Sequence, residues 1–141
     1  KAESAAMAIQ KKIEAEIEQS KSELRKRWDT YVTADKTFRT SLLGGISDVY
    51  VTVNNNWEYP LDKVEIEVTY IRASGDTYKT EVVEFSSIPP YEKITKKAPN
   101  SDRGTNLSLR FLTVKSNKLG LDYDARYLDI DNYFKYFPCP N

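Results

Sequence analysis

The spacing of hydrophobic positions along this chain changes once. Up to Tyr31 the apolar residues Ile9, Ile13, Ile17, Leu24, Trp28 and Tyr31 recur every three or four positions, with Ser20 in the slot between Ile17 and Leu24. The mean step of about 3.67 lies nearer the 3.6 of a straight α-helix than the 3.5 of a left-handed coiled coil. From Ala2 to about Thr30 there is neither Gly nor Pro, and Ala, Glu, Gln, Lys and Arg dominate, the residues that lose least on entering a helix. Acids crowd the first half (Glu14, Glu16, Glu18) and bases the last turns (Arg25, Lys26, Arg27), which complements the helix dipole, and Glu23 and Arg27 make a favourable i,i+4 pair. The pattern predicts a helix. At a rise of about 1.5 Å per residue it would be roughly 45 Å long, more than the roughly 30 Å across a small domain, so part of it must project. Leu24, Trp28 and Tyr31 are the portion expected to dock. The stretch before Ile17 reads as a stalk or a self-association surface, and equally as a marginal helix ordered by its attachment to something upstream.

After Phe38 the period becomes two, and Gly44-Gly45 punctuates the change. Val49, Val51 and Val53 point one way and Asp48, Tyr50 and Thr52 the other, a half-buried strand that ends at Asn54-Asn55-Asn56. Pro60 precedes the clearest strand, with Val64, Ile66, Val68 and Tyr70 on the core face and Lys63, Glu65, Glu67 and Thr69 on the wet one. Ala73-Ser74-Gly75-Asp76 supplies a tight turn, and Tyr78 to Phe85 returns antiparallel as a hairpin. Ile88-Pro89-Pro90 then blocks further pairing, because neither proline can donate to a ladder. A short polar strand around Tyr91 to Lys97 follows, then a loop through Gly104, then a strand in which Leu107, Leu109 and Phe111 enter the core and which continues to about Lys115.

Five strands at intervals of about ten to fifteen residues, with no helix among them, predict a mainly β fold: an antiparallel immunoglobulin-like β-sandwich preceded by a long N-terminal α-helix. The boundary falls at about residue 41, with the charged helix in 1–40 and the sandwich in 41–141. One or two further strands are needed, and the aromatic segments Arg126-Tyr127-Leu128-Asp129-Ile130 and Tyr133-Phe134-Lys135-Tyr136-Phe137 are their expected source.

Composition narrows the function classes. The 141 residues suffice for one ordinary core, and 21 basic against 21 acidic residues give zero net charge, which removes the general attraction to phosphate that nucleic-acid binding needs. Residues 85–120 hold seven bases and two acids, whereas 41–84 hold three bases and eight acids. Two solvated sheet faces explain this asymmetry; a partner-docking patch on Lys93, Lys96, Lys97 and Arg103 is the alternative. A single cysteine, Cys139, permits no internal disulfide. No apolar run approaches the roughly 20 residues that span a bilayer, and the start at Lys1 without Met suggests a processed chain whose signal or anchor would lie upstream.

Ser47 to about Val114 resembles the small immunoglobulin-like domains of bacterial envelope proteins termed FxLYD-like, similar in fold to late-embryogenesis-abundant plant stress proteins. The residues that carry the resemblance are Val49-Tyr50-Val51-Thr52-Val53-Asn54-Asn55, then Tyr59-Pro60-Leu61 before a strand ending at Tyr70, then Gly75 in the turn and Ile88-Pro89-Pro90. Tyr91 stands where that group usually has Gly, and Tyr70-Ile71-Arg72 lacks its Tyr-Asp pair. The resemblance implies a non-catalytic module displayed outside the cytoplasm beside a membrane or lipid anchor, and it brings no catalytic residues.

Histidine is absent altogether, which removes the usual neutral-pH general base, Ser-His-Asp and Cys-His arrangements, and imidazole ligation of zinc. There is no Gly-rich phosphate cradle, and no cofactor is expected. Glu65, Glu67, Glu81 and Glu84 could supply a glycosidase-like pair by residue type, but their strand positions are those of charges that keep a sheet face wet. Asp122, Asp124, Asp129 and Asp131 could hold a cation, yet their spacing departs from an EF-hand and suits solvated acids flanking an aromatic strand. Asn106-Leu107-Ser108 matches a glycosylation triplet at a strand start.

Trp57 and Tyr59 lie in a strand-connecting loop, where such folds display binding residues. Either the pair stacks on a sugar or a peptide partner, or Trp57 folds back to plug the open end of the core. The expectation is therefore a non-catalytic interaction or spacer module of a bacterial cell envelope, tethered by its helix. The alternative is a carbohydrate- or peptide-binding module using Trp57 and Tyr59, with protein or glycan partners and no nucleic acid.

Overall fold

A computed structural model describes residues 2–127. Helix α1 (Ala2–Lys26) and the single turn α2 (Trp28–Tyr31) lead into seven strands. These are β1 (Val32–Thr40), β2 (Ile46–Asn55), β3 (Lys63–Ile71), β4 (Thr77–Phe85), β5 (Lys93–Lys97), β6 (Asn106–Ser116) and β7 (Leu121–Asp124), followed by a 3₁₀ turn at Ala125–Tyr127. The strands form two antiparallel sheets, ordered β1-β2-β5 and β4-β3-β6-β7. This is an immunoglobulin-like sandwich in which the fourth strand pairs with the third.

The expected core faces hold: Val49, Val51, Val53, Val64, Ile66, Val68 and Tyr70 are fully buried. Alternation alone would turn Ile46 away from Val49, yet both are buried. The register shift between Thr37/Arg39 and Tyr50/Ser47 resolves this, because Asp48 is the extra residue of a bulge, with φ 51. A second shift opposite Glu65/Ile66 lets Leu112 take the extra place, so that Leu107, Leu109 and Phe111 are followed inward by Val114.

Pairing starts earlier than the boundary at residue 41 suggested, since β1 occupies residues that the sequence pattern grouped with the helix. Its inward positions are Val32, Ala34, Lys36 and Phe38, and the lysine interrupts an otherwise apolar alternation. The Lys36 ammonium donates to the Leu107 carbonyl across the sandwich, so its polar head is satisfied at the sheet edge. At the other end of the chain the closing strand is β7, and the aromatic segments from residue 128 onward lie outside the described residues.

Among the described residues the two sheets are unequal, three strands against four, and no strand of the smaller sheet lies opposite β7. Trp28 of α2 takes that place. Its ring lies edge-on to Phe111 at 5.2 Å and tilted on Tyr123 at 4.7 Å, and it is buried. The opposite flank, between β4 and β5, is closed by two lysines. Lys96 Nζ donates to the Glu84 carbonyl at 2.7 Å and lies over Phe85, while Lys79 Nζ donates to the Asn100 carbonyl at 3.0 Å and lies over Tyr70.

Candidate interaction surface

The helix meets the sandwich at the end where β1 begins and β2 finishes. Arg25 is the key residue there. Its guanidinium is buried, donates through Nη1 to the Leu119 carbonyl at 2.9 Å in the β6–β7 turn, and pairs through Nη2 with the exposed Glu18 at 2.5 Å. One turn earlier, Lys21 Nζ donates to the Lys118 carbonyl at 3.0 Å. Two bases spaced i,i+4 near the helix C-terminus thus bind two successive carbonyls of one turn. Sequence placed Leu24, Trp28 and Tyr31 at this junction, and all three pack there. It missed the role of Arg25 and Lys21, whose charge reads from sequence only as dipole complementarity.

Trp57 is in the core at 4 % exposure. Its ring packs on Tyr31 at 5.1 Å and on Tyr59 at 5.8 Å, so the loop aromatics plug the end of the sandwich and hold the start of β1. Asn55 fixes this loop, its side-chain amide donating to the carbonyls of Tyr59, Ile88 and Pro89. A ligand cannot stack on Trp57 without withdrawing it from the core, so of the two readings offered by the sequence, display or plug, the burial of Trp57 fits the plug and not the binding role. Tyr59 stays half-buried beside the helix, and burial together with the Glu58 carboxylate raises its pKa.

Tyr59 and the helix enclose an open groove of about 240 Å³, lined by Ile13, Glu16, Ile17, Ser20 and Lys21. Above it the helix stands clear of the sandwich. Ile9, Ile13 and Ile17 are 61 %, 44 % and 51 % exposed, and they continue the face on which Leu24 docks. Two other surface features lie elsewhere. Leu42 and Leu43 are fully exposed at the tip of the β1–β2 turn, and a shallow notch of about 420 Å³ beside the Asp48 bulge is lined by Thr37, Phe38, Arg39, Asp48 and Tyr50.

The four bases proposed as a docking patch do not share one face. Lys93 and Lys97 project from the outer side of β5 opposite Asn54 and Tyr50, Lys96 turns inward to the Glu84 carbonyl, and Arg103 sits in the loop after β5.

The strand carboxylates face bases: Glu67 meets Arg110 at 3.3 Å, Glu81 meets Lys79 at 3.7 Å and Glu84 lies 4.0 Å from Lys63. Glu65 accepts from Thr113 Oγ1 at 2.7 Å and from Arg126 at 3.0 Å, and the Thr113 bond first, then Arg126, holds its carboxyl below the usual range. Asp122 lies 3.9 Å from Lys115. Burial would raise the Asp124 carboxyl, but the hydrogen bonds from Arg126 together outweigh it and lower the pKa. Asp129, Asp131 and Cys139 lie outside the described residues. Among the described residues no three Cys, Asp or Glu side chains gather as a metal would require, and no helix is long and apolar enough to cross a membrane. No protein-family model, curated protein or solved structure matches the chain.

Proposed function

We propose that this chain is a non-catalytic interaction or spacer module of a bacterial cell-envelope protein, carried on its N-terminal helix. The observation that carries the reading is the junction at Arg25. A buried guanidinium bound to the Leu119 carbonyl joins the helix to the domain as one lever, while Ile9, Ile13 and Ile17 beyond it stay exposed. A flexible linker would have neither a buried Arg nor an aromatic wedge such as Trp28 at its foot. At 25 residues α1 extends about 37 Å, enough to hold a domain of this size clear of a surface.

The chemistry of the surface supports a non-catalytic role. With no histidine, general acid–base work would fall to carboxylates, and Glu65, held ionised by Thr113 and Arg126, is poorly suited to donate a proton near neutral pH. The envelope location rests on the resemblance carried by Val49 to Asn55 and by Ile88-Pro89-Pro90.

Fractionation of the native host tests the assignment. The full-length protein should partition with the envelope and be cut by protease added to intact or osmotically opened cells. Photo-crosslinkers at Ile9 and Ile17 should capture neighbours more often than one at Val82, which is exposed on the outer face of β4. Recovery in the cytosol, or capture at Val82 alone, would overturn it.

A further inference from the structure

We propose that two copies of this chain pair through α1 in antiparallel fashion, about a two-fold axis at Ile13. The inference rests on the reading of α1 as a projecting element and names what covers it. Ala6, Ile9, Ile13, Ile17 and Ser20 lie on one face of the helix, and the three isoleucines are each about half exposed. Centred on Ile13, an antiparallel pair sets Ile13 against Ile13 of the second copy, Ile9 against Ile17, and Ala6 against Ser20. Small residues then meet at both ends of the contact and let the helices approach closely.

Charge on one flank favours this orientation. On one flank of the stripe Lys12 of each copy faces Glu16 of the other, so the two-fold axis makes the attraction twice, and both residues are exposed and available. A parallel pair would rely instead on Glu16 against Lys21, and Lys21 is already held by the Lys118 carbonyl. Shape points the same way. Tyr59 of the sandwich closes one side of the groove along Ile13 to Lys21, so each sandwich stands on the stripe side of its own helix. A parallel partner would bring its sandwich into that same space, whereas an antiparallel partner carries it to the far end and lays its Ala5–Ile9 turn into the groove beside Tyr59.

Three isoleucines a side is a small contact against the roughly 800 Å² per partner of a standard interface. The dimer is accordingly weak, with a dissociation constant on the order of 100 µM.

Sedimentation equilibrium of the whole chain over a range up to about 1 mM should show reversible dimerisation. Ile13→Asp should leave near-ultraviolet dichroism unchanged and shift the dissociation constant at least about tenfold. Lys12→Glu should weaken the dimer, and Lys12→Glu with Glu16→Lys should restore it. For orientation, Ile9→Cys and Ile17→Cys chains in a Cys139→Ser background, mixed and oxidised, should form the mixed disulfide in preference to either homodimer. A chain that stays monomeric at the highest concentration, or binds only a different partner through Ile13, overturns the pairing while leaving the envelope assignment to its own fractionation test. Homodimeric disulfides in place of mixed ones overturn the antiparallel orientation.

Discussion

Arg25 Nη1 donates to the Leu119 carbonyl at 2.9 Å, a contact 94 residues apart in sequence that joins the helix to the last hairpin. The same guanidinium touches Glu18, and the two contacts differ in worth. Glu18 is 60 % exposed, where an ion pair contributes at most about 1 kcal/mol, whereas the carbonyl bond is buried and charge-assisted, worth about 1.5–3 kcal/mol. Arg25→Met, which keeps the apolar stem, should therefore cost about 2 kcal/mol in urea unfolding, and Glu18→Gln about 0.5 kcal/mol or less. Amide exchange along 20–26 should quicken in the first variant and not in the second. Equal costs would mean that the ion pair holds the helix.

Trp57 offers a second discrimination. Its ring is buried between Tyr31 and Tyr59, and among the described residues its indole Nε1 has no hydrogen-bond partner. Trp57→Phe removes that unpaired donor along with some packing, so the two effects offset and the loss should be about 1 kcal/mol. Trp57→Ala leaves a cavity in the plug and should cost about 3–5 kcal/mol. Denaturant midpoints of the two variants decide it, and a small Ala effect would contradict a structural role.

Tyr91 has φ 58 and is 72 % exposed, within a turn where the Glu92 amide donates to the Pro89 carbonyl. With Pro90 second and a left-handed residue third, this is the pattern of a type II turn, which favours glycine at the third place. Tyr91→Gly should relieve the left-handed strain without losing buried contacts. Partly offset by the greater freedom of the unfolded chain, the gain should be about 0.5 kcal/mol, whereas Tyr91→Val should be destabilising by about 1 kcal/mol. Thermal unfolding of the pair reads the sign.

These cases show where the sequence was readable. Val64, Ile66, Val68 and Tyr70 announce a strand because their alternation is unbroken, and the helix announces itself by composition. β1 was hidden for a physical reason: Lys36 sits at an inward position and snorkels its ammonium to the Leu107 carbonyl, so the apolar period breaks while the strand does not. The bulges at Asp48 and opposite Glu65 likewise shift the inward set by one residue, which no single-strand pattern reveals. At the junction, sequence offered Leu24, Trp28 and Tyr31 through their period. Arg25 was invisible because its partner is a backbone carbonyl, and carbonyls leave no mark in a sequence. For Trp57 the sequence offered two readings, display in a loop or a plug on the core, and only the enclosure by Tyr31 and Tyr59 separates them.

Part of the pH dependence of stability should be traceable to one outer-face chain, Arg126 donating to Thr113 Oγ1 at 3.0 Å and Thr113 donating to Glu65 at 2.7 Å. Thr113 is buried and the Glu65 side chain is 14 % exposed, so water competes weakly for these bonds. The Glu65 carboxyl is lowered chiefly by the Thr113 bond. A carboxyl whose folded pKa lies below its unfolded value of about 4.3 contributes stability that is present above that value and disappears as pH falls through the folded one. Thr113→Val keeps the shape but removes the hydroxyl. It should cost about 1–2 kcal/mol near pH 7, and the gap from the parent should narrow once the pH falls below about 4, because protonated Glu65 no longer draws on the bond. Urea unfolding of both chains near pH 7, 5 and 3 measures the gap. A gap independent of pH would assign the cost of Thr113→Val to packing alone and remove the Thr113–Glu65 bond from the acid sensitivity of this sandwich.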